Sequence, residues 1–358
     1  MLRKLSKQVD EKKQIENRTH VTFIGDSTID NRIWVDGLVS SYFKSLIGIQ
    51  RGSHEEKVKQ SHRLFFKPDL SVIEHFIDMS PNYIVHDYTN DGFTTKDCLQ
   101  GQLRDKVFGE GRFSIFPHVK FSPLVEGANS IKQSQHIILS VGGNNFREFL
   151  MIAMSLKGSD RRHYIKENFS DVIEEMQKEY IEILGKINKI NSRAQIILMT
   201  QYYPSVVQEN YQIYQFMHEV GKILNLGGSA HDPLAVIHEI MIQTYSNILK
   251  NIPNENILVA DITSSLDPLD INNHVHQIEP SSIGGRKIAQ ALKFLTSNDS
   301  VKPGQVYRFA PQFFISPTAS HVVQCDFDKW VPLTPTELHK GFESLTTMES
   351  QKTLGFGK

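Results

Sequence analysis

The sequence contains few of the features that mark several large protein classes. It has two cysteines in 358 residues, Cys98 and Cys325, which are too few for a disulfide framework and lack metal-ligand spacing. Scarce cysteine favours a reducing compartment. No apolar run reaches the ~20 residues that a membrane helix requires. We therefore expect a globular protein with no integral membrane segment and no metal site.

Neither sign of charge dominates the chain. Its 39 Lys and Arg residues nearly balance its 40 Asp and Glu residues, which gives a net charge of -1. Such a balance provides no general attraction for nucleic acid, so no nucleic-acid partner is expected. Residues 1–18 form a polar leader without the apolar centre of a secretory signal. The expected location is cytoplasmic, or secreted without a classical signal peptide.

Residues 19–298 alternate short apolar runs with longer amphipathic stretches. The predicted strands are 20–26, 82–88, 134–143, 194–200 and 256–262. The predicted helices are 37–48, 169–188, 232–250 and 279–295. Unbroken apolar runs suit strands that are covered on both faces, as in parallel sheets. The alternation predicts a three-layer α/β/α sandwich with a mainly parallel, five-stranded sheet.

The regular pattern stops after residue 298. Scattered prolines and short strand-like pieces follow, so residues 299–358 are interpreted as a C-terminal appendage with a flexible last part. The hydroxyl-rich end of this segment is similar to the secretion signals of bacterial type IV effector proteins. That similarity implies delivery to a host cytosol.

Three residues suited to acyl transfer each follow a predicted strand. Ser27 follows the first strand, Gly92 the second and Asn144 the third. Ligands of parallel sheets bind beyond the carboxyl ends of the strands, so these residues are expected to lie near one another. Such chemistry needs an activated nucleophile and donors for the oxyanion, and backbone N–H groups and an asparagine amide can be those donors.

The same residues lie in blocks that resemble the SGNH (GDSL-type) hydrolases over residues 20–296. Ser27 lies in "GDSTIDN", Gly92 in "NDG" and Asn144 in "GGNN", where Asn145 replaces the usual aspartate. The resemblance implies that Ser27 is the nucleophile. It also implies an oxyanion hole formed by the Ser27 and Gly92 amides and the Asn144 side chain. The implied substrate is a small-molecule or lipid ester, and the chemistry needs no cofactor.

The last block departs from this family. The usual order is Asp-x-x-His-Pro, but the sequence reads "HQIEP", with His276 in the aspartate position and Glu279 in the histidine position. In one interpretation His276 or His274 is the base, oriented by Asp270 or Glu279. In a second, Glu279 itself accepts the proton of Ser27, which requires burial to raise its pKa. In a third, the base is lost and the protein only binds.

Simpler roles are open for the same residues. Glu279 could cap the last helix, where a carboxylate is favourable beside the positive helix end. The two histidines could lie in a solvated loop. The leading hypothesis is nevertheless a serine esterase or lipase-type acyl hydrolase, with peripheral membrane contact as a further expectation. The alternative is a catalytically impaired binding or scaffold protein with the same fold.

Overall fold

The computed structural model describes residues 18–35, 69–101, 122–205, 211–252, 255–275 and 278–354. The strands are β1 (Thr19–Gly25), β2 (Tyr83–Thr89), β3 (His136–Ser140), β4 (Gln195–Met199), β5 (Ile257–Asp261), β6 (His274–Val275), β7 (Glu279–Pro280), β8 (Gln305–Phe309) and β9 (Val322–Asp326). The helices are α1 (Arg32–Val35), α2 (Val72–Met79), α3 (Thr95–Gln100), α4 (Pro123–Glu126), α5 (Ala128–Gln133), α6 (Gly143–Ser155), α7 (Gly158–Ile190), α8 (Tyr211–Leu224), α9 (Pro233–Asn251), α10 (Ser282–Ser297) and α11 (Pro335–Leu354).

The central sheet has seven strands in the order β2-β1-β3-β4-β5-β8-β9. All neighbours pair in parallel except β9, which runs antiparallel to β8 at the edge. The predicted α/β class and its five parallel strands are confirmed, whereas the strand count of five was too low. The strand β9 is half-exposed, so it lacks the continuous apolar run by which the buried strands were found.

Helices cover both faces of the sheet, and the alternation of the strand side chains assigns each residue to a face. On β1, Phe23 packs with Phe76 of α2 and with α10 on one face. The next residue, Ile24, packs on the opposite face with Met176 and Tyr180 of α7. Both sets are fully or almost fully buried. The result is the predicted three-layer sandwich.

The predicted helices match the structure where it describes them. Helix α7 contains the predicted 169–188, and α9 begins after Asp232, whose carboxylate accepts a hydrogen bond from the Ala235 N–H at 2.9 Å. Helix α10 is capped by the Ser281 side chain rather than by Glu279. The capping role considered for Glu279 is therefore taken by another residue. The predicted helix 37–48 lies outside the described residues.

Parts of the segment assigned to an appendage continue the central sheet. Strands β8 and β9 extend it, and α11 occupies most of the end that the sequence suggested to be flexible. Among the described helices, none combines the length and the apolar character needed to cross a membrane.

A buried carboxylate joins β5 to this C-terminal segment. Asp261 is fully buried, and its Oδ2 accepts hydrogen bonds from Arg308 Nε at 2.8 Å and from Trp330 Nε1 at 2.9 Å. Its Oδ1 accepts from the Thr263 N–H at 3.1 Å. Since a buried carboxylate is tolerated only when it is paired and hydrogen-bonded, these contacts hold the last two strands against the sheet.

Asp261→Ala is expected to lower the free energy of unfolding by about 3 kcal/mol, because it leaves the Arg308 charge and the Trp330 N–H without their acceptor. Urea denaturation measures this change. The control is Asp299→Ala, since Asp299 is exposed and its removal should change stability by less than about 0.5 kcal/mol. Equal stability of the two variants would contradict the role given to Asp261.

Candidate active site

The turn that carries Ser27 follows directly from the end of β1. A Cβ on Gly25 would lie 2.1 Å from the Ser140 carbonyl oxygen, so only glycine permits the close approach of β1 and β3. The Asp26 N–H donates to that same oxygen at 2.9 Å, and the Asp26 carboxylate accepts from the Thr28 N–H at 3.1 Å. These bonds fix the backbone on both sides of Ser27, which is itself buried.

The end of β2 is tied to the same turn. Gly92 has a φ of 86°, in the left-handed region that favours glycine. Immediately before it, the Asp91 N–H donates to Asp30 Oδ2 at 3.1 Å. Gly92 therefore stands beside the Ser27 turn, as the sequence led us to expect, although it is not among the described residues that line the cavity holding Ser27.

The end of β3 contributes Asn144, in the first turn of α6. Its side-chain N–H donates to the Phe93 carbonyl oxygen at 3.1 Å, and the residue is buried. The neighbouring Asn145 accepts from the Thr95 N–H at 3.1 Å and donates to the Thr95 hydroxyl at 2.8 Å. Both asparagines thus attach α6 to the loop after β2, and Asn144 faces the cavity that Ser27 also lines.

The segment with Glu279 is fastened next to Ser27 by two residues that are distant in sequence. Asn31 is fully buried, donates to the Pro280 carbonyl oxygen at 2.9 Å and accepts from the Val72 N–H at 2.9 Å. The Tyr202 hydroxyl donates to the Ile278 carbonyl oxygen at 2.5 Å. The position of Glu279 is therefore set from both neighbouring peptide groups.

The Glu279 carboxyl group and the Ser27 side chain lie on the wall of one cavity. Burial raises the pKa of Glu279 well above its usual value of 4.5, and the negative charge of Asp91 raises it further. The Ser27 hydroxyl and the positive charge of Arg147 lower the pKa of Glu279. Within the described part of the chain, Oε2 of Glu279 is buried without a hydrogen-bond partner. The site thus contains a hydroxyl next to a carboxyl group of increased basicity.

The other sequence-predicted candidates for base and acid are His274, Asp270 and His276, and the described ones do not line the cavity with Ser27. His274 is buried, and its Nε2 donates to the Tyr203 carbonyl oxygen at 3.0 Å. Burial lowers the pKa of His274 to about 4, and its ring is not among the described groups that line the cavity with Ser27. Asp270 caps the short 3-10 turn 271–273 by accepting from the Asn272 N–H at 3.0 Å. His276 lies outside the described residues.

The cavity is about 420 Å³ in volume, and Ser27, Asn144 and Glu279 lie on its wall. The rest of the wall is mainly apolar and comes largely from α6, α7, α8 and α9, with Gln201, Tyr202 and Pro204 from the segment after β4. Its aromatic and thioether side chains include Phe146, Phe149, Met151, Met154, Met217 and Met241. Methionine adapts to irregular apolar ligands, and this volume lies within the usual range for small-molecule sites. No group of three or more potential metal ligands occurs in the described ranges.

Three further residues of the site have no role assigned from the sequence. Asn31 belongs to the same block as Ser27. Its positioning role becomes evident only from its hydrogen bonds to Pro280 and Val72, which are distant in sequence. Tyr202 stands at the end of β4, where a ligand-facing residue is expected. Arg147 follows Asn144 by three residues, a spacing that places two helical side chains on one face.

Comparison with known proteins gives structural matches alone. No protein-family model matches the sequence, and no curated protein matches it. A lipase from a goat rumen metagenome is 15% identical with a TM-score of 0.42, over 77% of this chain and 96% of that one. A phospholipase A1 from Streptomyces albidoflavus is 9% identical with a TM-score of 0.45, over 78% of this chain and 99% of that one. A protein described as a GDSL-like lipase from Parabacteroides merdae is 11% identical with a TM-score of 0.39, over 78% and 94% of the two chains.

Glu279→Gln is expected to raise the melting temperature at pH 7. Between the usual and the raised pKa, the folded protein keeps a proton that the unfolded chain releases, so stability falls as the pH rises through this window. Glutamine removes this penalty, and the gain should shrink towards pH 4, where the carboxyl group is protonated in both states. Thermal unfolding across this pH range measures the effect. The exposed Glu126, changed to Gln, is the control, and an unchanged or lower melting temperature at pH 7 for Glu279→Gln would argue against the raised pKa.

Proposed function

We propose that this protein is an SGNH-type ester hydrolase in which Ser27 is the nucleophile and Glu279 is the general base. The observation that carries the proposal is the placement of these two side chains on the wall of one largely apolar cavity, where the Ser27 hydroxyl acts on the pKa of Glu279. A hydroxyl becomes a useful nucleophile when an adjacent group can accept its proton. Glu279 occupies the sequence position at which the family resemblance leads one to expect histidine.

The proposed reaction has two proton-transfer cycles. Ser27 Oγ attacks the ester carbonyl carbon while its proton passes to the Glu279 carboxylate, and a tetrahedral intermediate forms. The intermediate collapses as the alcohol leaves with that proton, and the acyl group remains on Ser27. Water then attacks the acyl-serine, again giving its proton to Glu279. Collapse of the second intermediate returns the proton to Ser27 Oγ and releases the carboxylic acid.

The oxyanion of each intermediate needs preorganised donors. We assign this role to the N–H groups of Ser27 and Gly92 and to the side chain of Asn144. Asn144 supports the assignment because it lines the same cavity and its amide carries two hydrogens. One hydrogen is given to the Phe93 carbonyl, which fixes the side chain, and the other is assigned to the oxyanion.

The apolar wall of the cavity supports an acyl ester as the substrate. Phenylalanine and methionine side chains surround the site where the acyl part of an ester would lie. Burial of each methylene group contributes about 0.8 kcal/mol to binding, so a cavity of this kind favours acyl chains longer than acetyl. The proposed substrate class is therefore a lipid or another ester with an extended acyl group.

A fluorophosphonate probe tests the nucleophile directly. We expect covalent labelling of the protein together with turnover of p-nitrophenyl esters, and both should vanish in Ser27→Ala. The exposed Ser300, changed to alanine, is the matched control and should leave both unchanged. Absence of labelling and of turnover in the wild-type protein would contradict the enzyme and favour the binding protein.

The pH dependence of kcat/KM tests the base. Since Glu279 accepts a proton only when it is ionised, kcat/KM should rise with pH through a pKa well above 4.5. Glu279→Gln should lower kcat/KM by about 10²- to 10⁴-fold and abolish this limb of the profile. Hydrolysis kinetics from pH 4 to pH 9 measure both effects. His276→Ala is the comparison variant, and loss of activity there with full activity in Glu279→Gln would assign the base to His276 instead.

A further inference from the structure

A single cationic side chain lies among the described residues of the apolar cavity wall. Arg147 is on α6, three residues after Asn144, and both line the cavity together with Ser27. Its neighbours along the same helix face, including Leu150 and Met154, are apolar. Arg147 is half-buried in these surroundings, where a positive charge without a partner of opposite charge is unfavourable.

The part of the chain that the structure describes contains no hydrogen-bonding partner for this charge. Within the described ranges, the Arg147 guanidinium makes no hydrogen bond and no salt bridge, and its named electrostatic partner is Glu279. Arg32 offers a contrast, since its Nε lies 3.1 Å from the carboxylate of the buried Glu74. No described residue occupies the donors of Arg147, which lies on the wall that a molecule entering the cavity would meet.

We propose that Arg147 binds an anionic group, a phosphate or a carboxylate, on the alcohol part of the ester substrate. This inference rests on the proposed hydrolase function and names its substrate class as an anionic acyl ester. The planar guanidinium presents donors that match both anions in a bidentate manner. Because Arg147 lines the same cavity as Ser27 and Glu279, the anion would bind on the wall beside the reacting ester, while the acyl chain occupies the part of the cavity lined by methionine and phenylalanine.

The competing explanation is that Arg147 does not contact the substrate and acts only through Glu279. In that case the guanidinium would serve only to favour the ionised carboxylate, and its removal would affect all ester substrates equally. It would also move the acid limb of the pH profile to higher pH. The first consequence separates the explanations, because an anion-binding role depends on the charge of the substrate.

The kinetic test uses two decanoate esters that differ by one charge. One is p-nitrophenyl decanoate, and the other has an additional carboxylate on its nitrophenyl ring. Arg147→Met should lower kcat/KM for the anionic ester by about 10- to 100-fold and change the neutral ester by less than threefold. Arg147→Lys should recover part of the loss. The matched control is the exposed Arg162, changed to methionine. This variant should leave kcat/KM unchanged for both the anionic and the neutral ester.

Equal losses for the two esters in Arg147→Met, with the acid limb shifted to higher pH, would overturn the proposal in favour of the positioning role. Unchanged kinetics with both esters would overturn it as well. Circular dichroism and the melting temperature of each variant verify that these outcomes do not arise from misfolding.

A binding measurement keeps the inference separate from the hydrolase proposal. Ser27→Ala protein is titrated calorimetrically with decyl phosphate and with decyltrimethylammonium, which share a chain and differ in charge. We expect the phosphate to bind at least tenfold more tightly, and this preference should disappear in the double variant Ser27→Ala, Arg147→Met. Preference for decyl phosphate without ester turnover would support anion binding and contradict the hydrolase. Equal affinity for the two amphiphiles would overturn the anion site even if turnover is found.

Discussion

One buried amide holds together the parts of the chain that form the site. The Asn31 side chain binds the backbone of α2 through its oxygen and the Pro280 carbonyl through its nitrogen, so three segments far apart in sequence meet at one residue. A buried amide tolerates little displacement, because each unsatisfied polar atom would cost about 1–3 kcal/mol. The turn with Ser27 and the segment with Glu279 therefore keep a fixed relation, and the chemistry proposed for the pair depends on it.

Burial of Glu279 is unfavourable for the fold and useful for the proposed reaction. An aqueous carboxylate is a weak base for a hydroxyl, whereas withdrawal from water and the nearby Asp91 charge raise the pKa of Glu279. Burial of this carboxyl group lowers the stability of the folded protein, as is common where a functional site requires a polar group in an apolar environment. The surrounding sandwich, with its continuous cores on both sheet faces, tolerates this local cost.

Much of the architecture could be predicted because it follows from local patterns. The apolar runs specified five parallel strands, and the strand-end rule predicted that Ser27, Gly92 and Asn144 lie near one another. Ser27 and Asn144 line one cavity, and Gly92 lies outside its wall. The edge strand β9 escaped prediction because it is half-exposed and lacks an apolar run. Neither the role of Arg147 nor the contacts of Asn31 could be predicted, because a contact between residues distant in sequence produces no periodic pattern. The exchange of histidine for glutamate was visible, but only the burial of Glu279 gives it a chemical meaning.

The buried Asp261 bears on where the chain can be divided. A cut at residue 298, where the sequence pattern changes, would remove both donors to Asp261 Oδ2, Arg308 and Trp330. It would also remove β8 from its place beside β5 and leave β5, a mainly apolar strand of five residues, as an open edge that can pair with other molecules. The shorter protein would thus combine an isolated buried charge with an aggregation-prone edge. For this reason the sheet, rather than the change in sequence pattern, defines the smallest piece of the protein that can be expected to fold alone.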